Sequence, residues 1–172
     1  KAINDAIFEY NLSQADGTVG FDVTELFVTN PTWREKGNKT GWDVVVERKM
    51  DWGSFPAWGA DLAEIYQSDF NISQTLTGIR NGKYKVRVQA FYRGTLQTAE
   101  LFANNDAVKL VPLNKYSTAD FGTLSGKFTT EGYADDLTSA SAVFNAENPA
   151  TGRNYYDENE LDIIVMDGTL TF

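Results

Sequence analysis

The 172-residue sequence contains neither cysteine nor histidine. Without cysteine the chain can form no disulfide and offers no thiolate as a nucleophile or metal ligand. Without histidine it lacks the usual general base and the commonest transition-metal ligand, so a Ser-His-Asp triad is excluded. Hydrolysis by paired carboxylates is not excluded by these absences.

Long apolar runs and an excess of positive charge are also missing. No apolar run approaches the roughly 20 residues that span a bilayer, and Lys1 opens an amphipathic stretch without a signal-peptide pattern. The chain has 15 basic and 24 acidic residues, which gives a net charge of −9. Since a negative surface repels phosphate backbones, we expect no nucleic-acid partner, and we expect no insertion into a membrane.

The composition that is present predicts a globular chain with a core of its own. Hydrophobic residues make up 42% and aromatic residues 13% of the sequence, which is typical of folded proteins. Residues 1–15 place Ile3 and Ile7 at helical spacing and predict a short helix that ends near Asp16-Gly17. This helix either packs on the domain or is the end of a preceding helical segment. The predicted division is a helical segment, residues 1–18, and a β domain, residues 19–172.

The stretch 70–93 has the clearest strand pattern in the sequence. Polar and apolar residues alternate over residues 70–77 and again over residues 84–93, as they do in half-buried antiparallel strands. Asn81-Gly82 lies between the two runs, and both residues tolerate the positive φ of a tight turn. The stretch is therefore predicted to form a β-hairpin.

Further strands are indicated by short β-branched and aromatic runs with turn residues between them. A polar turn at Gly37–Gly41 and a loop at residues 50–60 separate some of these runs. The predicted strands are Phe21–Val28, Trp42–Val46, Thr98–Phe102, Val108–Pro112 and two strands within Leu161–Phe172. Many short strands with few helices predict an all-β fold, a jelly-roll β-sandwich of antiparallel strands with a short N-terminal helix.

Several short motifs occur in an order that is typical of one group of proteins. The motifs are Asp22–Thr24 (DVT), Val28–Trp33 (VTNPTW), Gly41-Trp42, Ile72–Arg93 and Val165–Leu170 (VMDGTL). With them the chain resembles the galactose-binding-domain-like β-sandwiches, a jelly-roll group that includes many carbohydrate-binding modules. It is most similar to versions found in surface and secreted proteins of gut Bacteroidetes. The resemblance covers about residues 20–172, and residues 114–160 contribute little to it.

The resemblance also raises the question of a structural calcium ion. Many members of the group have the motif Asn-Pro-x-Phe-Glu, in which the acidic residue helps to build a calcium site. This chain has Trp33-Arg34 in place of Phe-Glu. The aspartates that could supply oxygen ligands, although without the dense spacing of a calcium loop, are Asp43, Asp51, Asp61, Asp162 and Asp167. We therefore expect no cofactor, with structural calcium as the open alternative and its ligands unknown.

Aromatic residues in the predicted loop at residues 50–60 are the strongest candidates for a binding site. Trp52, Phe55 and Trp58 lie there among Gly and Pro residues, and a turn does not require so many rings. A flat ring matches the apolar C–H face of a sugar, while nearby amides and Arg can hold its hydroxyls. The alternative is that Trp52 or Trp58 folds back to close an open end of the sandwich.

Three residues outside this loop complete the predicted ligand-binding set. They are Tyr66, Tyr92 and Arg93. Arg93 could hold a hydroxyl or carboxylate bidentately, or be a paired structural cation at a strand end. Trp33 and Trp42 are assigned mainly to the core because they lie in or beside predicted strands.

The candidates and the resemblance together predict a noncatalytic carbohydrate-binding module that binds a glycan or polysaccharide through loop aromatics. It would belong to an extracellular or cell-surface bacterial protein and be attached to further domains or an anchor. The alternative is a structural or protein–protein interaction module without a sugar ligand. An enzyme is not expected, because Asp135-Asp136 and the pair Glu158 and Glu160 lie in polar stretches typical of solvated charge.

Overall fold

The structure is a computed structural model that describes residues 6–10, 20–55, 60–90, 92, 98–110, 147–148, 153–154 and 159–172. For Phe55, Ala60 and residues 147–148 and 153–154 it describes the backbone alone. Within these residues strands predominate and helices are few, which confirms the predicted all-β class.

The described elements are short. The helices are α1 (residues 6–10) and α2 (Thr24–Phe27), and a helix with the length and apolar surface of a bilayer span is absent from the described residues. The strands are β1 (Asp43–Val46), β2 (Met50–Phe55), β3 (Ala60–Ile65), β4 (Phe70–Ser73), β5 (Thr75–Thr77), β6 (Gly82–Arg87), β7 (Glu100–Ala103), β8 (Asp106–Lys109), β9 (Glu147–Asn148), β10 (Arg153–Asn154), β11 (Glu160–Val165) and β12 (Thr169–Thr171).

The chain forms two compact units. Unit 1 contains Lys1–Pro56 and Ala60–Leu76, and unit 2 contains Ala57–Gly59 and Thr77–Phe172. Each unit contains its own antiparallel strand pairs, so each is described separately below.

Unit 1 is built on a long two-stranded antiparallel ribbon, which we define as residues 43–55 paired with residues 60–73. β1 pairs with β4 at one end, and β2 pairs with β3 at the other. Between the two ladders the Glu47 amide donates to the Asp69 carbonyl at 2.9 Å, and the Tyr66 amide donates to the Lys49 carbonyl at 3.3 Å. These bonds join the two ladders into one ribbon.

The register of the ribbon changes by one residue at Gln67. Glu47 lies opposite Asp69, and an unbroken ladder would place Lys49 opposite Gln67. Lys49 instead accepts from Tyr66, and the ladder of β2 with β3 continues in that register. Gln67 is thus the extra residue of a β-bulge, and its φ of 47° is the left-handed conformation that such positions adopt.

The prediction of a loop over residues 50–60 was wrong for residues 50–55 and 60, and residues 56–59 lie outside the described residues. Residues 50–55 and 60–65 are strands that pair from Met50 with Ile65 to Phe55 with Ala60. Gly53 lies within β2 at φ 139°, where a Cβ would come within 3.2 Å of the Lys36 Cβ. Close approach of another segment therefore explains this glycine.

A side-chain amide holds the segment before the ribbon in place. Gln74 is only 5% exposed; its Oε1 accepts from the Thr29 amide at 2.7 Å, and its Nε2 donates to the Thr29 carbonyl at 2.9 Å. The primary amide thus bonds both backbone groups of Thr29, as a neighbouring strand would. We call this pair of bonds the Gln74 clamp.

The predicted strand Phe21–Val28 was also wrong in part, because Thr24–Phe27 forms a single helical turn. The Asp22 carboxylate accepts from the Thr24 amide at 2.8 Å, and the Leu26 and Phe27 amides both donate to the Val23 carbonyl. A carboxylate that accepts from an amide two residues on favours a turn over an extended chain, and this local bond outweighs the β-branched composition.

The helical residues 6–10 pack on unit 1. Phe8 is buried, and its ring lies edge-on to Phe21 at 5.5 Å and to Phe27 at 5.8 Å between centroids. Edge-to-face rings at these distances attract each other beyond the burial of their area. The predicted helix is therefore confirmed over these residues, while its predicted end near Asp16-Gly17 lies outside the described residues.

In unit 2, β6 pairs with β11 over six residues, and β7 pairs with β8. The turn between β7 and β8 lies at Asn104-Asn105. Fully buried Asn159 lengthens the first pair, because its carbonyl accepts from the Val88 amide at 3.2 Å. Among the residues of this unit that the structure describes, the buried apolar ones are Ile79, Leu101, Ala103, Leu110, Ile163, Val165 and Leu170.

The predicted hairpin over residues 70–93 was wrong. Its two runs are strands, but β4 pairs with β1, and β6 pairs with β11. The Asn81 side chain accepts from the Gly168 amide at 2.9 Å. The Asn-Gly pair therefore fixes a distant segment, and longer ladders elsewhere determine the strand partners.

The outer face of the β6–β11 pair carries a row of opposite charges. Glu160 accepts from Lys85 at 2.7 Å and from Arg87 at 2.8 Å, and Lys85 also lies 3.4 Å from Asp162. The carboxylates raise the pKa of Lys85, first through the bond to Glu160. Such exposed pairs add little stability each, but they set the register of the two strands.

The backbone conformation and close contacts of Gly41 predict that a side chain at this position destabilises unit 1. Its φ is 86°, and an added Cβ would lie 2.5 Å from the Thr29 Cβ and 3.3 Å from the Gln74 Nε2. We expect Gly41→Ala to lower the free energy of unfolding by more than about 2 kcal/mol, since backbone strain and a clash with the Gln74 clamp add together. Urea unfolding followed by tryptophan fluorescence measures the loss, because Trp33, Trp42 and Trp52 all lie in unit 1.

Gly37→Ala is the matched control. Gly37 has nearly the same φ, 83°, but no atom within 4 Å of an added Cβ. It should cost only about 1 kcal/mol, from backbone strain alone. Equal losses in the two variants would show that the contact between Gly41 and the clamp contributes nothing to stability.

Candidate functional site

Two ion pairs join a cation-rich loop to the β2–β3 hairpin. We define the cationic loop as residues 34–39. The Arg34 Nε lies 2.8 Å from an Asp61 carboxylate oxygen, and the Lys36 Nζ lies 3.2 Å from one of Asp51. The loop is thus held across both strands of the hairpin, since Asp51 belongs to β2 and Asp61 to β3.

Local hydrogen bonds give the cationic loop its shape. The Asn30 side chain donates to the Asn38 carbonyl at 2.9 Å, and the Asn38 side chain accepts from the Thr40 amide at 2.9 Å. Asn30 and Trp33 have positive φ values of 52° and 57°. These short polar bonds replace strand pairing over the loop and direct its side chains toward the hairpin.

The ion pairs shift the ionisation of their partners. The pKa of Asp61 lies below its ordinary value, mainly because Arg34 and then Ser54 donate hydrogen bonds to the carboxylate. The same bond raises the pKa of Arg34. Lys36 likewise lowers the pKa of Asp51. Both carboxylates are therefore fully charged at neutral pH and available as hydrogen-bond acceptors.

Trp52 lies in the middle of β2 and is half-buried. The Lys39 ammonium lies over its ring, 5.0 Å from the centroid, in a cation–π contact. The indole Nε1 is buried and has no hydrogen-bond acceptor among the described residues. An unpaired buried donor costs about 1–3 kcal/mol, so this position is not optimised for stability.

Trp33 directly precedes the cationic loop in the sequence, Trp42 follows it, and the two rings stack on each other. Their ring centroids are 5.0 Å apart with a 38° tilt, and both residues are half-buried. The Trp42 Nε1 donates to the Asn30 carbonyl at 3.1 Å. The assignment of these two residues to packing agrees with these contacts, and Trp42 also anchors the start of the cationic loop.

The predicted ligand-binding residues that the structure describes lie on different elements. Trp52 and Phe55 belong to β2, Tyr66 follows β3 with 52% exposure, and Tyr92 is a half-buried residue of unit 2. Trp58 and Arg93 lie outside the described residues, as does the side chain of Phe55.

The register of the ribbon separates Tyr66 from Trp52. Trp52 lies opposite Ala63, whereas Tyr66 bonds to Lys49. Neighbouring residues of a strand point to opposite faces, so an odd spacing of three from Ala63 places Tyr66 on the other face of the ribbon. Trp52 and Tyr66 therefore do not share one face of the ribbon.

The cationic loop is the part of the site that sequence reasoning missed. Residues 37–41 were predicted only as a polar turn. The available signal was the concentration of Arg34, Lys36 and Lys39 within six positions of a chain whose net charge is −9. Such a local excess of cations needs acidic or aromatic partners nearby.

Asp51 and Asp61, which were considered as calcium ligands, are engaged in these ion pairs. Within the described part of the chain no group of three or more acidic side chains is placed to hold a metal ion. Arg34 donates to the Asp61 carboxylate at 2.8 Å, so a cation already pairs with that carboxylate.

The lowered pKa of Asp61 predicts a loss of stability in acid. A group whose pKa is lowered on folding stabilises the fold above its unfolded value of roughly 3.9 and loses that contribution as the pH falls through the folded value. Urea midpoints between pH 2 and 7 should therefore fall in acid less steeply for Asp61→Asn than for the unaltered chain. Asp43→Asn, at an exposed position of β1, should keep the original slope.

Because the indole donor of Trp52 is unpaired, we predict that Trp52→Phe costs much less stability than Trp52→Ala. Trp52→Phe removes the N–H but keeps a ring, so the free energy of unfolding should change by less than about 1 kcal/mol. Trp52→Ala removes the ring as well and should cost about 2–4 kcal/mol. Circular dichroism during thermal unfolding measures both. A loss for Trp52→Phe as large as that for Trp52→Ala would mean that the indole N–H is bonded in solution.

Comparison with known proteins yields no match for this chain: no family model, no curated protein and no solved structure. The all-β class is therefore established by the strands of the chain itself. Its function has to be argued from Trp52, the two ion pairs and Lys39.

Proposed function

We propose that the chain is a noncatalytic carbohydrate-binding module, a jelly-roll β-sandwich of an extracellular or cell-surface protein. The glycan would bind at the Trp52 site, which we define as Trp52, Lys39 and the ion pair Arg34–Asp61. One observation carries the proposal: a half-buried indole ring has an ammonium over it, and Asp61 of the Arg34–Asp61 pair lies on the same face of the paired strands, opposite Ser54.

The chemistry of this arrangement suits a sugar. A pyranose has an apolar C–H face that packs on an aromatic ring, and hydroxyls around its edge that need donors and acceptors. Asp61 provides an acceptor and Arg34 a donor. Because their ion pair holds these two groups in place, little side-chain entropy is lost when a ligand binds.

The order of the sequence motifs supports the same proposal. The resemblance to galactose-binding-domain-like sandwiches is compatible with the all-β class. It would place the module in a larger surface protein, attached to further domains or an anchor. Phe55, Trp58, Tyr66, Tyr92 and Arg93 stay proposed contributors to sugar binding.

A structural or protein-interaction module is the second candidate. The observation that favours it is the buried Nε1 of Trp52, since a ring that serves only packing can also bury its polar edge. The Lys39 ammonium over the ring also reduces the surface open to a sugar. In this role the Trp52 site would fix the loop on the hairpin and bind no ligand.

Titration with plant, host and microbial polysaccharides tests the first candidate against the second. We expect a saturable change in tryptophan fluorescence with one glycan class, and calorimetry should give its affinity. Trp52→Phe should weaken binding by about tenfold because the smaller ring offers less stacking area, and Trp52→Ala should abolish it.

Val45→Ala serves as the control, since Val45 is 62% exposed on the face of the ribbon opposite Trp52. It should bind like the unaltered chain. Absence of any saturable response, with the far-ultraviolet spectrum of folded protein, would support the structural or interaction role instead.

A further inference from the structure

The geometry points to an acidic ligand, and we infer that the Trp52 site binds a glycan that carries carboxylates, such as a uronic-acid polymer. Lys39 would leave the ring of Trp52 and bind the carboxylate while the sugar stacks in its place. This inference rests on the proposed function and specifies its substrate class.

The first step in the argument is the distribution of charge in the cationic loop. Arg34 and Lys36 are each matched by a carboxylate of the hairpin, Asp61 and Asp51. Lys39 has the Trp52 ring as its partner, and no carboxylate pairs with it within the described residues. Lys39 is therefore a cation of the loop without a carboxylate partner among the described residues, whereas Glu35, the acidic residue of the loop, accepts from the Asn38 side chain at 3.0 Å.

The second step is the weakness of the contact that holds Lys39. A cation–π contact at an exposed site is weak compared with a hydrogen-bonded pair of opposite charges. Lys39 is exposed, so its flexible side chain can move without disturbing any packing. An arriving carboxylate offers the ammonium a better partner, and the movement uncovers the face of the ring.

The third step concerns the net charge of the chain, −9, which repels polyanions at long range. At physiological salt the screening length is about 8 Å, so distant charges contribute little at the site. The groups that matter are those a ligand touches. Lys39 has no carboxylate partner among the described residues, and its ammonium bonds more strongly to a carboxylate than to a neutral hydroxyl.

Pairs of polymers that differ only in their carboxyl groups provide the test. Polygalacturonate, alginate and hyaluronan are compared by calorimetry with the same polymers after reduction of the carboxyls to alcohols. We expect one of the acidic polymers to bind about tenfold or more tightly than its reduced form, the effect of one hydrogen bond to a charged group.

Variants at Lys39 assign the effect to a residue. Lys39→Gln should weaken binding of the acidic polymer by about tenfold and so remove its advantage over the reduced polymer, whereas Lys39→Arg should retain acid binding. Lys49→Gln removes an equal charge from an exposed lysine of unit 1 and should have little effect.

The outcomes separate this inference from the proposed function. Equal binding of the acidic and reduced polymers, or an unchanged affinity in Lys39→Gln, overturns the acidic-ligand inference and leaves the module function standing. If neither acidic nor neutral polysaccharides bind to the folded chain, the proposed function fails, and the inference fails with it.

Discussion

The pair of hydrogen bonds between Gln74 and Thr29 is the constraint on which unit 1 depends. A buried primary amide must satisfy both its donor and its acceptor, and here one backbone residue satisfies both. The bonds fix the chain where it leaves α2 and enters the segment that leads to the cationic loop. Gly41 then has to approach the clamp so closely that a side chain does not fit. The clamp thus holds the chain before Lys39 at Thr29 and after it at Gly41, and the position of Lys39 over Trp52 follows from these two contacts.

The same device recurs in unit 2, where Asn104 replaces a strand partner. The backbone amide of Asn104 donates to the Thr171 carbonyl at 2.7 Å, and the side-chain oxygen of Asn104 accepts from the Thr171 backbone amide at 2.9 Å. With strands of two to six residues, backbone ladders leave many polar groups unpaired at their ends. Asn and Gln side chains meet this need, which explains why short strands suffice in this chain.

The sequence predicted strands better than it predicted their partners. Short β-branched and aromatic runs bounded by turn residues identified Trp42–Val46, Thr98–Phe102 and the two strands of Leu161–Phe172, because such side chains pack well on a pleated surface. Pairing failed for residues 70–93, since an Asn-Gly turn is local while the ladder of β6 with β11 depends on residues far apart in sequence. In the site, Trp52 was identified from composition alone. Lys39 was missed, because a cation over a ring requires a loop geometry that no short pattern encodes.

The bulge at Gln67 has a consequence for the phase of the apolar pattern. Along residues 60–73 the half-buried Ile65 and Ile72 are an odd number of positions apart, which in an uninterrupted strand would place them on opposite faces. The extra residue restores them to one face, opposite Met50 and Val44 respectively. Removal of Gln67 would therefore do more than shorten the ribbon: one half would turn its apolar side chains to water. Two apolar runs whose period-two alternation is shifted by one residue therefore indicate a single strand that continues through a β-bulge.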